Sequence, residues 1–400
     1  MLPAAIRPDV YWVGVNDFQP DLFEGLWYIR DIGISYNAYL IQDEKNVLID
    51  TVGMKDFDLF FRQIQRVLNP AKLDYVVVNH MEPDHSGSLR LLREAAPQVT
   101  ILGSKKTAGM LDAFYGIKEG VQIVEDGEEL ALGKHTLKFF ATPRLHWPET
   151  IMTYLMDEKV LFSCDAFGGY GALAGYLFDD ECPNLENRKQ QTLRYYANIL
   201  TSFAKPIHQA LDKLAGLPLG MIAPSHGVIW RRDPQRVIDW YKEWASYADA
   251  PAEKAVTLVY GSMYGNTAEL MEAVAQGIAS ECLPLEIFDV GRTPFSLILP
   301  SIYIKRGVVV GAPTYERSLF PPMAALLELC DLKEIHHKKA AFISSHSWGG
   351  GAVKQAVSLF EVLGWEMALE PLDITSGPTA RELEAARDFG IKFARMIKEE

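Results

Sequence analysis

From Ala255 to the C-terminus the chain alternates short apolar runs with helical patterns, and this alternation constrains its fold more than any other feature. The runs fall at residues 256–260, 285–290, 307–311, 340–344 and 367–372. They are apolar throughout rather than at every second position, as strands buried on both faces are. With a helix between each pair, the strands must run parallel in a sheet covered on both sides. The last helix opens with Thr379-x-x-Glu382, a capping-box pattern that supplies hydrogen-bond partners to the first turn.

The preceding part reads differently. Short β-rich runs at residues 36–42, 47–51 and 73–79 mix with helical patterns and tight turns, implying sheets flanked by helices. The longest helical pattern spans residues 185–214. At 400 residues the chain is too long for one comfortable core. The small, polar, proline-containing stretch at 249–254 is the best linker. We therefore expect one domain over residues 1–250 and a second over 254–400.

Some functions are disfavoured at once. A formal net charge of -13 opposes sequence-independent nucleic-acid binding, which needs Lys and Arg against phosphates. Neither a signal-peptide core nor a run of about 18 apolar residues is evident, so a cytoplasmic protein without membrane attachment is expected. Cys164, Cys182, Cys282 and Cys330 form no C-x-x-C pair, which argues against a disulfide framework or a fused rubredoxin-like iron site. Electrons, if needed, would come from another molecule.

The chemistry concentrates in Asn79-His80-Met81-Glu82-Pro83-Asp84-His85-Ser86-Gly87, directly after the apolar run of Tyr75 to Val78. Four metal-capable side chains lie within six residues. A loop leaving a strand for a helix can aim His80 and Glu82 at one ion, and Asp84 and His85 at a second. His146, Asp165 and His226 follow at comparable strand-end positions. Singly, such histidines are more often hydrogen-bonded structural residues. Jointly, they point to a two-metal site. His135, His208, His336, His337 and His346 lack that context and read as surface, helix or loop residues with respect to metal.

A second constellation begins at Val259-Tyr260-Gly261-Ser262-Met263-Tyr264-Gly265-Asn266-Thr267, a strand passing through small hydroxylated residues into a helix. Backbone N–H groups there, with the Ser262, Asn266 and Thr267 side chains, can hold a phosphate without a lysine. An ordinary capped turn would look similar. Two further loops, Pro313-Thr314-Tyr315-Glu316 and Ser345-His346-Ser347-Trp348-Gly349-Gly350, follow strands at the same sheet edge, where doubly wound folds bind ligands. Tyr315 and Trp348 can flank a planar ring, although either could also be core.

The order H-x-E-x-D-H, then His, Asp and His, resembles the metallo-β-lactamase fold. Glu82, standing where the hydrolases carry a second histidine, resembles the flavodiiron or A-type flavoprotein family. The three C-terminal loops resemble flavodoxin. The resemblance spans essentially the whole chain. It implies an N-terminal αββα sandwich followed by a flavodoxin-like sheet of order 2-1-3-4-5, with flavin mononucleotide (FMN) and two iron ions. The exchange of an imidazole for a hard anionic oxygen favours iron over zinc. The family pattern assigns His80, Glu82 and His146 to one iron, Asp84, His85 and His226 to the other, and Asp165 to both. It also suggests Tyr196 as a proton donor, a role weighed against plain helix packing.

The implied activity is reduction of dioxygen to water, of nitric oxide to nitrous oxide, or of both. The implied donor is rubredoxin or a reduced deazaflavin, and the implied assembly a head-to-tail homodimer or a dimer of dimers. Departures from the pattern are Glu316, where Asn is common, and Gly169-Tyr170-Gly171, where Gln-His is common. The rival readings are a two-zinc hydrolase with a flavodoxin-like partner domain, and an electron carrier using the flavin domain alone.

Overall fold

The computed structural model describes residues 1–249 and 252–399. Spatial clustering divides the chain into two compact units, Met1–Tyr196 with Phe203–Ala245, and Ala197–Ser202 with Ser246–Glu400. The expected linker at 249–254 falls in part on Ala250 and Pro251, which lie outside the described residues.

The first unit is the αββα sandwich. Its larger sheet runs, in spatial order, Ala4–Arg7, Val10–Trp12, Tyr39–Ile41, Asn46–Ile49, Leu73–Val77, Thr100–Gly103 and Val121–Ile123. Pairing is antiparallel as far as Asn46–Ile49 and parallel beyond it. The second sheet runs Glu129–Ala131, Thr136–Ala141, Ile151–Leu155, Val160–Cys164 and Met221–Pro224, with only the last pair parallel. Residues of Ile151–Leu155 and Val160–Cys164 are buried without alternation. Each large apolar side chain enclosed there contributes about 1.5–3 kcal/mol.

Polar side chains tie the sheets together at one edge. Asp50, at the end of Asn46–Ile49, accepts the Asn79 backbone N–H at 2.7 Å and its amide at 2.9 Å, while Thr153 donates its hydroxyl to Asn79 Oδ1 at 2.7 Å. Asn37 takes the Trp12 indole N–H at 2.9 Å and donates to the carbonyls of Pro224 and Gly227. These groups are buried, so each bond left unmade would cost about 1–3 kcal/mol. They hold the ends of strands from both sheets at that edge.

The continuous helix expected over 185–214 is two helices, Leu185–Tyr195 and Ala204–Leu214. Between them lie a π-turn at Tyr196–Leu200 and a 3₁₀ turn at Thr201–Phe203. Pro206 accounts for the restart, because it has no N–H for the preceding turn and its ring clashes with the carbonyl four residues back. In the first turn of the new helix that cost disappears.

The second unit has the predicted parallel order. Leu285–Asp289, Glu253–Tyr260, Lys305–Gly311 and Lys339–His346 are neighbours, which is 2-1-3-4 in chain order. The expected fifth strand at 367–372 is two pieces, Glu366–Met367 and Leu372–Thr375, both parallel to Lys339–His346. Pro371, without an N–H for the ladder, lies in the interruption. The capping box closes as read: Glu382 accepts the Thr379 N–H at 2.7 Å, and Thr379 Oγ1 accepts the Glu382 N–H at 3.3 Å. Helices Asn266–Ser280 and Ala380–Glu399 meet through two glycines. A Cβ on Gly277 would lie 2.1 Å from the Arg387 carbonyl oxygen, and one on Gly390 2.2 Å from that of Val274. No described helix is long and apolar enough to cross a membrane.

Candidate metal centre and flavin loops

The seven predicted metal residues lie at one edge of the sandwich, because each follows the C-terminal end of a strand. His80 and Glu82 leave Leu73–Val77, and Asp84 and His85 sit in the short helix Pro83–Ser86, which Glu82 caps. His146, Asp165 and His226 follow Thr136–Ala141, Val160–Cys164 and Met221–Pro224. Their ligand atoms gather into two groups, His80, Glu82, His146 and Asp165 in one, Asp84, His85 and His226 in the other, each within 4.8 Å. Asp165 connects them. Its Oδ2 is 3.1 Å from His146 Nε2 and 3.4 Å from His80 Nε2, while its Oδ1 is 3.1 Å from His85 Nε2 and 3.5 Å from His226 Nε2.

Several of these atoms are buried without a hydrogen-bond partner among the described residues: both oxygens of Asp84 and of Asp165, both ring nitrogens of His85, and His226 Nε2. Burying such groups unpaired is costly, whereas a cation at the focus would satisfy them together. The ring tautomers agree. His226 donates from Nδ1 to the Ser35 carbonyl at 2.8 Å, which leaves Nε2 as a bare lone pair. His80 presents Nδ1 to Glu149 at 2.7 Å.

Charge in the cluster points the same way. Burial opposes protonation of His80, yet hydrogen bonds to Glu149 and Glu82 and the Asp165 charge carry it up to about 10. Against the same burial, Asp165 and Glu82 raise His146 to about 10, and Asp84 and Asp165 raise His85 to about 9. Burial would push Asp165 upward, but the surrounding histidines hold it well below the carboxylate range. The site therefore demands positive charge, and hard divalent ions on four imidazoles and three carboxylates supply it.

Tyr196 packs among aromatic side chains. Its ring packs edge-on against Tyr241 at 5.2 Å and against Trp244 at 5.5 Å. Tyr195, one residue earlier, lies 5.5 Å from the His226 ring. Adjacent helical residues point about 100° apart, so a one-residue difference changes the face. His135, expected to be structural, is a buried residue whose Nδ1 meets Asp157.

In the second unit the predicted loops follow three parallel strands and so share one edge. Ser262 Oγ accepts the Gly265 N–H at 3.1 Å and the Ala268 N–H at 3.4 Å. Gly265, at φ 100°, heads the helix without a side-chain cap, leaving first-turn N–H groups for an anion. Thr267 and Ser345 hydroxyls bond at 2.9 Å, and Thr314 Oγ1 accepts the Ala352 N–H at 3.2 Å, joining the loops. His346 contacts Asp373 at 3.0 Å. Glu316 and Arg317 turn between Thr314–Tyr315 and Ser318–Leu319 with φ of 46° and 64°, a turn that ordinarily favours Asn and Gly. Pro313 is buried, whereas Met263, Asn266, Tyr315, Ser347, Gly349 and Gly350 are exposed. Trp348 is 98% and Tyr264 92% exposed. Large rings so fully solvated suit stacking on a planar ligand.

A family model described as ODP family beta lactamase matches residues 34–227, and one described as Flavodoxin matches residues 258–390. The anaerobic nitric oxide reductase flavorubredoxin of Escherichia coli O1:K1 / APEC is 37% identical over 396 residues, covering 98% of this chain and 81% of that relative. The rubredoxin oxygen:oxidoreductase of Desulfovibrio gigas superposes with a TM-score of 0.94 at 30% identity, covering 99% of both chains. The flavodiiron protein of Giardia intestinalis superposes at 0.95 with 29% identity, covering 100% of this chain and 97% of that one. Two domain matches in order, a relative matched over 98% of this chain and an edge of bare ligand atoms converge: the chain belongs to the flavodiiron proteins, oxidoreductases that carry FMN on a flavodoxin-like unit and a non-haem diiron centre on a metallo-β-lactamase-like unit.

Proposed function

We propose that this protein passes electrons from reduced FMN to its diiron centre and there reduces dioxygen to water, nitric oxide to nitrous oxide, or both. The observation that carries this reading is the pair of ligand groups meeting at Asp165 with their Nε2 and carboxylate atoms otherwise unsatisfied. His80, Glu82 and His146 would hold one iron, Asp84, His85 and His226 the other, and Asp165 would serve both. When bound, two ferrous ions and a dihydroflavin supply the four electrons needed for dioxygen, or the two needed to pair nitric oxides.

The protein's own contribution is orientation and exclusion of water. Glu149 and the Ser35 carbonyl fix the rings of His80 and His226. Asp165 and the rings of His80, His85 and His226 are closed from solvent, while Glu82 and Asp84 keep side-chain exposures of 15% and 19%. Glu82, whose oxygens are not among these enclosed atoms, marks the less closed side, from which a diatomic substrate would reach the ligands. Tyr195, whose proton burial and the charges of Asp165, Glu82 and Asp84 hold in place, is better placed than Tyr196 to donate a hydrogen bond there. Ser262, Asn266 and Thr267 hold the FMN phosphate. Tyr264, Tyr315 and Trp348 flank the ring, with Met263, Gly265, Pro313, Thr314, Glu316 and Ser345 to Gly350 completing the loops.

Rubredoxin or a reduced deazaflavin is the donor in this reading, the cytoplasm the site of action, and a head-to-tail homodimer or a dimer of dimers the assembly. The test is metal and flavin analysis after anaerobic purification, followed by consumption of dioxygen and of nitric oxide by the reduced protein. About two irons and one FMN per chain with rapid uptake of either gas are expected. Two zincs without flavin would overturn the reading in favour of a hydrolase.

A further inference from the structure

The two ligand groups match in their first contacts but not in what stands behind them. His80 Nδ1 faces a carboxylate, Glu149 Oε1, at 2.7 Å. Glu149 is 1% exposed; its Oε1 also takes the Met81 N–H at 2.9 Å, and its Oε2 has no partner among the described residues. In the other group His226 Nδ1 meets only the neutral Ser35 carbonyl, at 2.8 Å. His85 Nδ1 meets no acceptor among the described residues. A full negative charge against one ring nitrogen makes the opposite nitrogen a stronger donor than a carbonyl does. Buried from water, that charge also favours the more highly charged ion nearby.

We infer that Glu149 is a positioning residue that makes the two metal positions inequivalent, so that the ion held by His80, Glu82 and His146 binds more tightly and is the last of the pair to be reduced. The inference rests on the diiron reading above. Glu149 would set the order in which the two positions, when filled, accept electrons. Glu149 reaches the metal only through His80.

The test uses metal-stripped full-length protein titrated anaerobically with Co(II), whose visible spectrum reports each position. Wild type is expected to take two ions per chain; failure to do so would refute the diiron reading itself. Glu149→Gln keeps the hydrogen bond but removes the charge. It is expected to weaken one of the two positions about 10- to 100-fold and leave the other unchanged, with Glu149→Asp recovering most of the loss. In the iron-loaded protein, the two reduction steps followed by Mössbauer spectroscopy should draw together in Glu149→Gln. Equal weakening of both positions, no weakening, or loss of cooperative melting in the stripped Gln variant would overturn the inference while leaving the parent reading intact.

Discussion

The metal edge of the first unit and the loop edge of the second solve opposite problems. The metal edge is built from buried side chains whose charges answer one another, several of them set by a second residue behind: Glu149 behind His80, Ser35 behind His226, Asp50 behind Asn79. The loop edge is built from backbone and exposed rings, with Trp348 and Tyr264 almost wholly in solvent. Buried charge must be organised before the ligand arrives, since unpaired it opposes folding. A loop that offers N–H groups and aromatic faces to water pays little for waiting.

The comparison breaks most visibly at Asp165. Asp165→Asn removes the charge shared by four imidazoles, and iron content and gas consumption should fall by more than about 100-fold while FMN content stays the same. A variant retaining both irons and its turnover would show that the two groups do not depend on a shared carboxylate. At the other edge, Trp348→Ala should weaken FMN binding about 10-fold, read by flavin fluorescence, without altering iron content, because a stacked aromatic contributes about 0.5–1.5 kcal/mol beyond its area. No change would place the ring elsewhere.

A smaller effect contrasts buried charges. In the first unit carboxylates raise the histidines; in the second, burial lowers Lys338 from 10.5 to about 7, opposed by the buried Cys330 thiol. Between those values the unfolded chain binds the proton that the folded chain releases, so Lys338 makes stability rise with pH from about 7 to 10.5 and fall as pH returns to 7. The slope is at most about 1.4 kcal/mol per pH unit. Urea midpoints across this range should show it in the wild type and lose it in Lys338→Met. Comparable in size at fixed pH, Gly277→Ala forces a Cβ against the Arg387 carbonyl and should lower the stability of the flavin-binding unit by about 1–3 kcal/mol in urea. Metal content should not follow.

Much of the site was legible because its chemistry is local. His80 to His85 declare themselves by four metal-capable side chains in six residues after an apolar strand, and the loops at Ser262, Thr314 and Ser345 by small and hydroxylated residues at strand ends. Glu149 was not legible: three residues beyond His146 in Trp147-Pro148-Glu149, it reads as a turn acid until the fold brings it beneath His80. The Ser35 carbonyl carries no side-chain signal at all. Tyr196 was suggested by family resemblance alone, whereas the residue set against the His226 ring is Tyr195, one position earlier on a different face of the helix.

Sequence alone determined the strand-helix alternation and the parallel sheet, and it singled out seven candidate metal residues and three candidate flavin loops, since period, hardness of ligand and turn chemistry are properties of neighbours along the chain. Tertiary structure decided which oxygen of Asp165 faces which imidazole, which tyrosine packs against the His226 ring, and that one histidine rests on a carboxylate and another on a carbonyl. Those contacts join residues as far apart as 69 positions for His80 and Glu149, and 191 for Ser35 and His226. No local pattern encodes such a meeting; it exists only once two sheets have packed.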